Sequence, residues 1–336
     1  MSVESLSTAS AKIGSAQESG VMAPSFATLD TVCLERSNTD DLQKAVQRHL
    51  VYLHRYGLQK GGYVEQQRLA MLLASLARAL FPLNKGAQLD IVVDALAWSI
   101  AWSEHCVSLR NRDRYTAEAL IWQVVELTLQ YAGAKPERDA SPLAWAFMDL
   151  WKREAAGMSP YWQEHAVANW RRWLLCLVSD DHGSEALPGP YLPGHQAMDW
   201  FVLSDLIEGS LKFELPLGMR EAAAIQTLLD MYADLNQWLS DISAAQAGDV
   251  CHTGANSVFW LQQIRDCSSE QAIREVLHLH VHLTERWCLR RARLSPLYAA
   301  MRLDVDQQLG VERYVAGLES LIAGYCAWQR PTRGRS

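Results

Sequence analysis

The stretch from Leu228 to Leu261, LLDMYADLNQWLSDISAAQAGDVCHTGANSVFWL, constrains this chain more than any other. Apolar residues recur in it at Leu228, Leu229, Tyr232, Leu235, Trp238, Leu239 and Ile242, the spacing of one helical face. A break follows near Gly248, and a second helix begins after Asn256. The same period runs through most of the chain. It predicts helices over Leu42–Tyr56, Gln66–Leu80, Leu89–Leu109, Thr116–Ala132, Pro142–Ala155, Tyr161–Val178, Met198–Ser210 and Met219–Ala245. Shorter or later ones follow at Ser257–Gln263, Ser269–Arg293 and Val311–Trp328. Ser268 and Ser269 are good N-cap types for the helix that starts there. Alternating strand patterns are essentially absent. The expected fold is all-α: a single-domain helical bundle around a central cavity. Loops are expected at Gly133–Ser141, Asp180–Gly194 and Ser295–Gly310. Residues 1–25, rich in Ser, Ala and Gly, read as a disordered tail, 26–330 as the domain, and 331–336 as a short C-terminal tail.

Composition narrows the function classes. With 49% hydrophobic and 21% charged residues the chain reads as an ordinary globular protein, and at a net charge of −7 it has no domain-scale basic face. Nucleic acid is therefore not an expected partner. The seven cysteines are scattered without a CxxC pair, which argues against a disulfide framework and against a structural zinc site. No apolar run has membrane-spanning length and the N-terminus lacks a signal-peptide core, so a cytoplasmic location is expected. Thirteen tryptophans are unusual. They suit a large helical core, and equally a pocket whose ring faces stabilise a cation.

The Leu228–Leu261 stretch resembles the segment that carries the second metal motif of bacterial class I terpene synthases. Leu228, Leu229, Asp234, Leu235, Trp238, Asp241, Asn256 and Val258 match its scaffold positions, while the Asn-Ser-Glu metal triad falls on Ser240, Ala244 and Gly248. YLHRYGL from Tyr52, ARALFP from Ala77, and LDIVVDALAWSIAW from Leu89 follow the family's order. In the family that third piece leads into an Asp-rich motif, and here the register reads Ser103, Glu104, His105. DLIEGSLKFELP from Asp205 matches the segment at the helix break beside the reacting cation. The family's diphosphate-sensing Arg falls on His195, four residues after Tyr191. The end of the chain keeps Trp328, with Arg333 or Arg335 in the place of a terminal Arg.

What the resemblance implies is a class I terpenoid synthase-like fold and carbocation chemistry on an isoprenyl diphosphate, giving a cyclic terpene. An isoprenoid small molecule is then the ligand, Mg²⁺ the cofactor, and a homodimer an allowed assembly. Glu104 and Ser240 would be the surviving metal ligands. Glu104, His105 and Asp241 would be the catalytic groups. Trp98, Trp102, Phe201 and Trp238 would line the cavity, with His195, Asn256 and Arg333 also on the substrate. Most metal positions are substituted, so two further readings stand beside this one. The first is a catalytically inactive relative that binds an isoprenoid or a protein partner. The second is metal-free cyclisation of a neutral terpenoid, with Glu104, His105 and Asp241 as acids.

One feature lies outside the resemblance. Glu275, His278, His282 and Glu285 fall on one helical stripe, and His278 with His282 could hold a transition metal. Apolar neighbours put that stripe on the solvent side. No Ser-His-Asp grouping, P-loop or dinucleotide fingerprint appears.

Overall fold

The sequence's helical period becomes thirteen helices and no strand among the described residues, which in this computed structural model are 39–59, 61–110, 113–129, 140–176, 198–247 and 256–329. Both tails and the Asp180–Gly194 loop lie outside them, as does most of the Gly133–Ser141 loop. In chain order the helices are α1 (Thr39–Arg55), α2 (Tyr63–Leu80), α3 (Ala87–Arg110), α4 (Arg114–Leu129), α5 (Pro142–Ala155), α6 (Pro160–Cys176) and α7 (Met198–Leu211). There follow α8 (Leu217–Glu221), α9 (Ala223–Ala247), α10 (Ser257–Arg265), α11 (Ser269–Arg291), α12 (Leu294–Ala300) and α13 (Val305–Gln329).

Local chemistry sets the ends. Ser141 accepts the Ala144 N–H, with Pro142 pre-set for the first turn of α5. Ser268 and Gln271 cap each other reciprocally at the start of α11. Two expectations are corrected. The helix expected over Met219–Ala245 is broken at Ala222, whose backbone is extended. The short α8 stands apart because Arg220 turns inward to a buried partner. The Ser295–Gly310 loop instead holds all but the first residue of α12 and the first six residues of α13. Pro296 sits in the first turn of α12, where its missing N–H costs nothing. Asp304 and Gln307 trade side-chain and backbone hydrogen bonds to open α13.

α3 is the central helix of the N-terminal half, packed by α1, α2, α4, α5 and α7. α13 packs against α2, α7 and α9, and closes the bundle. The α2–α13 crossing is so close that a Cβ on Gly324 would stand 2.3 Å from the Ala79 carbonyl oxygen, so only glycine fits there. One large apolar core runs through these helices. A second, smaller one (Ile242, Val258, Leu261, Ala272 and Val276) joins the end of α9 to α10 and α11. Trp238 is half-buried and touches both cores.

Candidate active-site cleft

A cleft of about 320 Å³ opens between α3, α6 and α7. The spacing of Ala95, Ser99, Ser103 and of Leu96, Ile100, Glu104 puts these six residues on one broad face of α3. Trp170 and Trp173 of α6 face them, and Val202, Leu203 and Leu206 of α7 complete the wall. The lining is thus apolar and aromatic, with two hydroxyls and one carboxylate along a single helix. Glu104 is exposed at its edge.

Trp98 and Trp102 are not part of this lining. They project from the neighbouring flank of α3 and are fully buried. Their rings stack at 5.2 Å, and Trp98 meets Phe147, Trp170 and Trp173 at 4.8, 5.7 and 6.1 Å. Its indole N–H donates to the Leu143 carbonyl at 2.9 Å. This cluster sits behind the cleft and holds the two wall tryptophans in place. Trp170 and Trp173 were not among the residues expected at the ligand, because helical period alone cannot say which of several tryptophans ends on a cavity wall.

The other expected site residues are dispersed. His105 is exposed beside Glu104, and Cys106 is buried, which pushes its thiol up to about 12. Phe201 is half-buried with the Arg172 guanidinium over its ring at 5.0 Å. Asp241 is buried, and both of its carboxylate oxygens are engaged. One accepts from Gln237 Nε2 at 2.8 Å, the other from the Ser257 N–H at 2.9 Å. Burial raises its pKa against the pull of these donors. Asn256 accepts the Val258 and Phe259 N–H groups at 2.9 and 3.3 Å and donates to the Asp241 carbonyl at 2.9 Å. Asp241 and Asn256 therefore clamp the start of α10 to α9. Ser240 is half-buried on α9 and does not line the cleft. His195 and Arg333 lie outside the described residues.

Beside the cleft, α5, α6 and α7 enclose a polar cluster. Glu208 is wholly buried and takes the Arg220 guanidinium at 2.5 and 2.6 Å and the Leu215 N–H at 2.6 Å. Burial pushes its carboxyl up, while Arg220 draws it back. Asp205 is equally buried, accepts from Asn169 Nδ2 at 2.7 Å and stands 3.3 Å from His165 Nε2. Glu154 is fully buried, with the Trp170 indole and the Lys212 ammonium as the groups that favour its charge. Burial, and then the nearby Asp205 charge, push it up to about 8. Of these, Asp205 and Glu208 belonged to a recognised sequence segment and Glu154 did not. The available signal was Asp205 and Glu208, one turn apart inside the otherwise largely apolar WFVLSDLIEGSL.

Among the described residues no three His, Cys, Asp or Glu side chains converge as a metal site. Magnesium takes carboxylates and phosphate oxygens in octahedral geometry. The cleft offers Glu104 and two hydroxyls, and Asp241 is already spent on backbone and amide donors. This described donor set does not fit the ion on its own.

No protein-family model matches the chain. Curated relatives do. It is 26% identical over 298 residues to pentalenene synthase of Streptomyces avermitilis, covering 86% of this chain and 87% of that one. It is 25% identical over 295 residues to R-linalool synthase of Streptomyces clavuligerus, covering 86% and 88%. It is also similar to a (−)-β-caryophyllene synthase of Saccharothrix espanaensis, at 23% over 304 residues, covering 88% of this chain and 85% of that one. Among solved structures, the linalool/nerolidol synthase of S. clavuligerus in complex with 2-fluorogeranyl diphosphate superposes with a TM-score of 0.73. That match has 24% identity and covers 86% of this chain and 99% of that one. An α-eudesmol synthase gives 0.73 at 21% identity, covering 86% and 94%. These structural matches share one fold.

Proposed function

The chain is a divergent relative of the bacterial class I terpene synthases, and on that premise we propose that it converts an isoprenyl diphosphate to a terpene in the α3–α6–α7 cleft. The observation that carries this reading is the wall itself. Trp170 and Trp173 flank an apolar space, Trp170 fully buried and Trp173 nearly so, and Ser99, Ser103 and Glu104 line one helix beside it. Apolar lining with a few convergent polar groups is the usual form of a small-molecule site. Ring faces lower the energy of a passing cation, and a dry wall keeps water from trapping it. In this reading Glu104 lies toward the leaving group and the tryptophans toward the hydrocarbon. His195 and Arg333 are proposed for the diphosphate end, and Ser240 for any metal that binds there.

A second reading rests on a specific observation: among the described residues that line the cleft Glu104 is the one carboxylate, and Asp241 stands away from it with both oxygens committed to the α9–α10 clamp. That favours a relative that binds an isoprenoid without turning it over.

Incubation of the purified protein with geranyl, farnesyl and geranylgeranyl diphosphates separates these readings. The samples contain either Mg²⁺ or EDTA, products are read by gas chromatography, and diphosphate release is followed in parallel. The proposal expects terpene products with Mg²⁺ that vanish with EDTA. Products indifferent to EDTA support acid chemistry by Glu104 and His105. Saturable quenching of tryptophan fluorescence without diphosphate release supports the binding protein and overturns turnover.

A further inference from the structure

We propose that His278 and His282 on the outer face of α11 form a bidentate site for a borderline transition-metal ion of the Ni²⁺, Cu²⁺ or Zn²⁺ class. The two side chains are one helical turn apart and both are exposed. Their rings lie edge to face with centroids 4.6 Å apart, close enough for small side-chain rotations to turn one nitrogen of each toward a shared ion. Imidazole is a favoured donor for these metals and a poor one for Mg²⁺. A carboxylate stands where an orienting partner belongs. Glu285 Oε2 is 3.4 Å from His282 Nδ1, which leaves Nε2 as the ring nitrogen for the ion. A carboxylate behind a ligating histidine fixes the ring and raises its basicity.

The neighbouring groups define the limits of the site. Glu275, on the same stripe, is taken by Arg265 at 2.5 Å, so it is not a ligand. His280 lies two positions on and is half-buried, with its Nε2 shut off from solvent, so it does not share the outer face. The described residues supply no third protein ligand. Water or an incoming molecule would fill the remaining positions. None of the cleft-lining residues comes from α11, so this site is separate from the proposed reaction centre.

The test is calorimetric titration of the chelator-stripped full chain with NiCl₂ and with CoCl₂, in excess Mg²⁺ to occupy hard-oxygen sites. The expected result is a saturable site that binds Ni²⁺ more tightly than Co²⁺. His278→Ala and His282→Ala should each weaken it at least about tenfold, and Glu285→Gln on the order of tenfold. Glu275→Gln should leave it unchanged. All four positions are on the surface, and circular dichroism checks that each variant is folded. Absence of binding by the wild-type chain overturns the proposal. So does wild-type affinity in either histidine variant, which would assign the heat to other imidazoles or to thiols.

Discussion

At the residue scale, Glu154 is the most consequential side chain that no motif announces. Gly209 leaves room for it, since a Cβ there would stand 2.9 Å from Glu154 Cγ and from the Trp162 ring. With its carboxyl raised to about 8 from an ordinary value of 4.5, the folded protein holds a proton that the unfolded chain releases. Stability therefore falls as pH rises from about 4.5 to about 8 and levels off above that. At about 1.4 kcal/mol per pKa unit, the loss is of the order of several kcal/mol as an upper bound. Glu154→Gln cannot ionise. Urea denaturation near pH 5 and near pH 8 should show a smaller stability difference in this variant than in the wild type. Equal differences in the two proteins would mean that Glu154 is not the titrating group. The reason Glu154 was not legible beforehand is plain. On α5 it follows Lys152 and Arg153 and reads as the polar end of an amphipathic helix, and only packing against α6 and α7 seals it from water.

At the element scale, the joint between α9 and α10 shows how a family motif can be kept for architecture. Asp241 and Asn256 match family positions, yet here they satisfy orphan N–H groups at a helix start and tie two helices together. Asn256→Ala should cost about 1–2 kcal/mol, the range for a lost N-cap, with some addition from the broken bond to the Asp241 carbonyl. Chemical denaturation measures it. The accompanying expectation is that ligand binding at α3–α6–α7 survives, because neither residue lines that cleft. Loss of binding with unchanged stability would return Asn256 to the ligand. Helix existence was legible from period at this scale, and the ends of α5 agree with local chemistry, since Ser141 and Pro142 open it and Gly157, at φ +80°, follows its end. The break at Ala222 was not, since it depends on where Arg220 finds Glu208.

At the scale of the whole molecule, helix placement decides the size of the cavity. About 320 Å³ lies near the lower end of the roughly 300–1,000 Å³ typical of small-molecule sites, which favours a short isoprenyl chain. Geranyl diphosphate should quench tryptophan fluorescence at lower concentration than geranylgeranyl diphosphate. Trp173→Ala removes a cleft wall and should narrow or reverse that preference. An unchanged order of affinities in the variant would place the chain elsewhere.

The all-α class followed from the sequence by itself, because a 3.6-residue apolar period gathers its apolar residues on one face of a helix and scatters them over both faces of a strand. The family resemblance was also readable, since its order of segments is written in local scaffold letters such as Leu228, Trp238 and Asp241. Only the tertiary structure decided which residues meet. A helix offers several faces, and neighbouring helices choose among them. That choice put Trp170 and Trp173 on the cleft, Trp98 and Trp102 behind it, Asp241 in a clamp, and Glu154 out of reach of water.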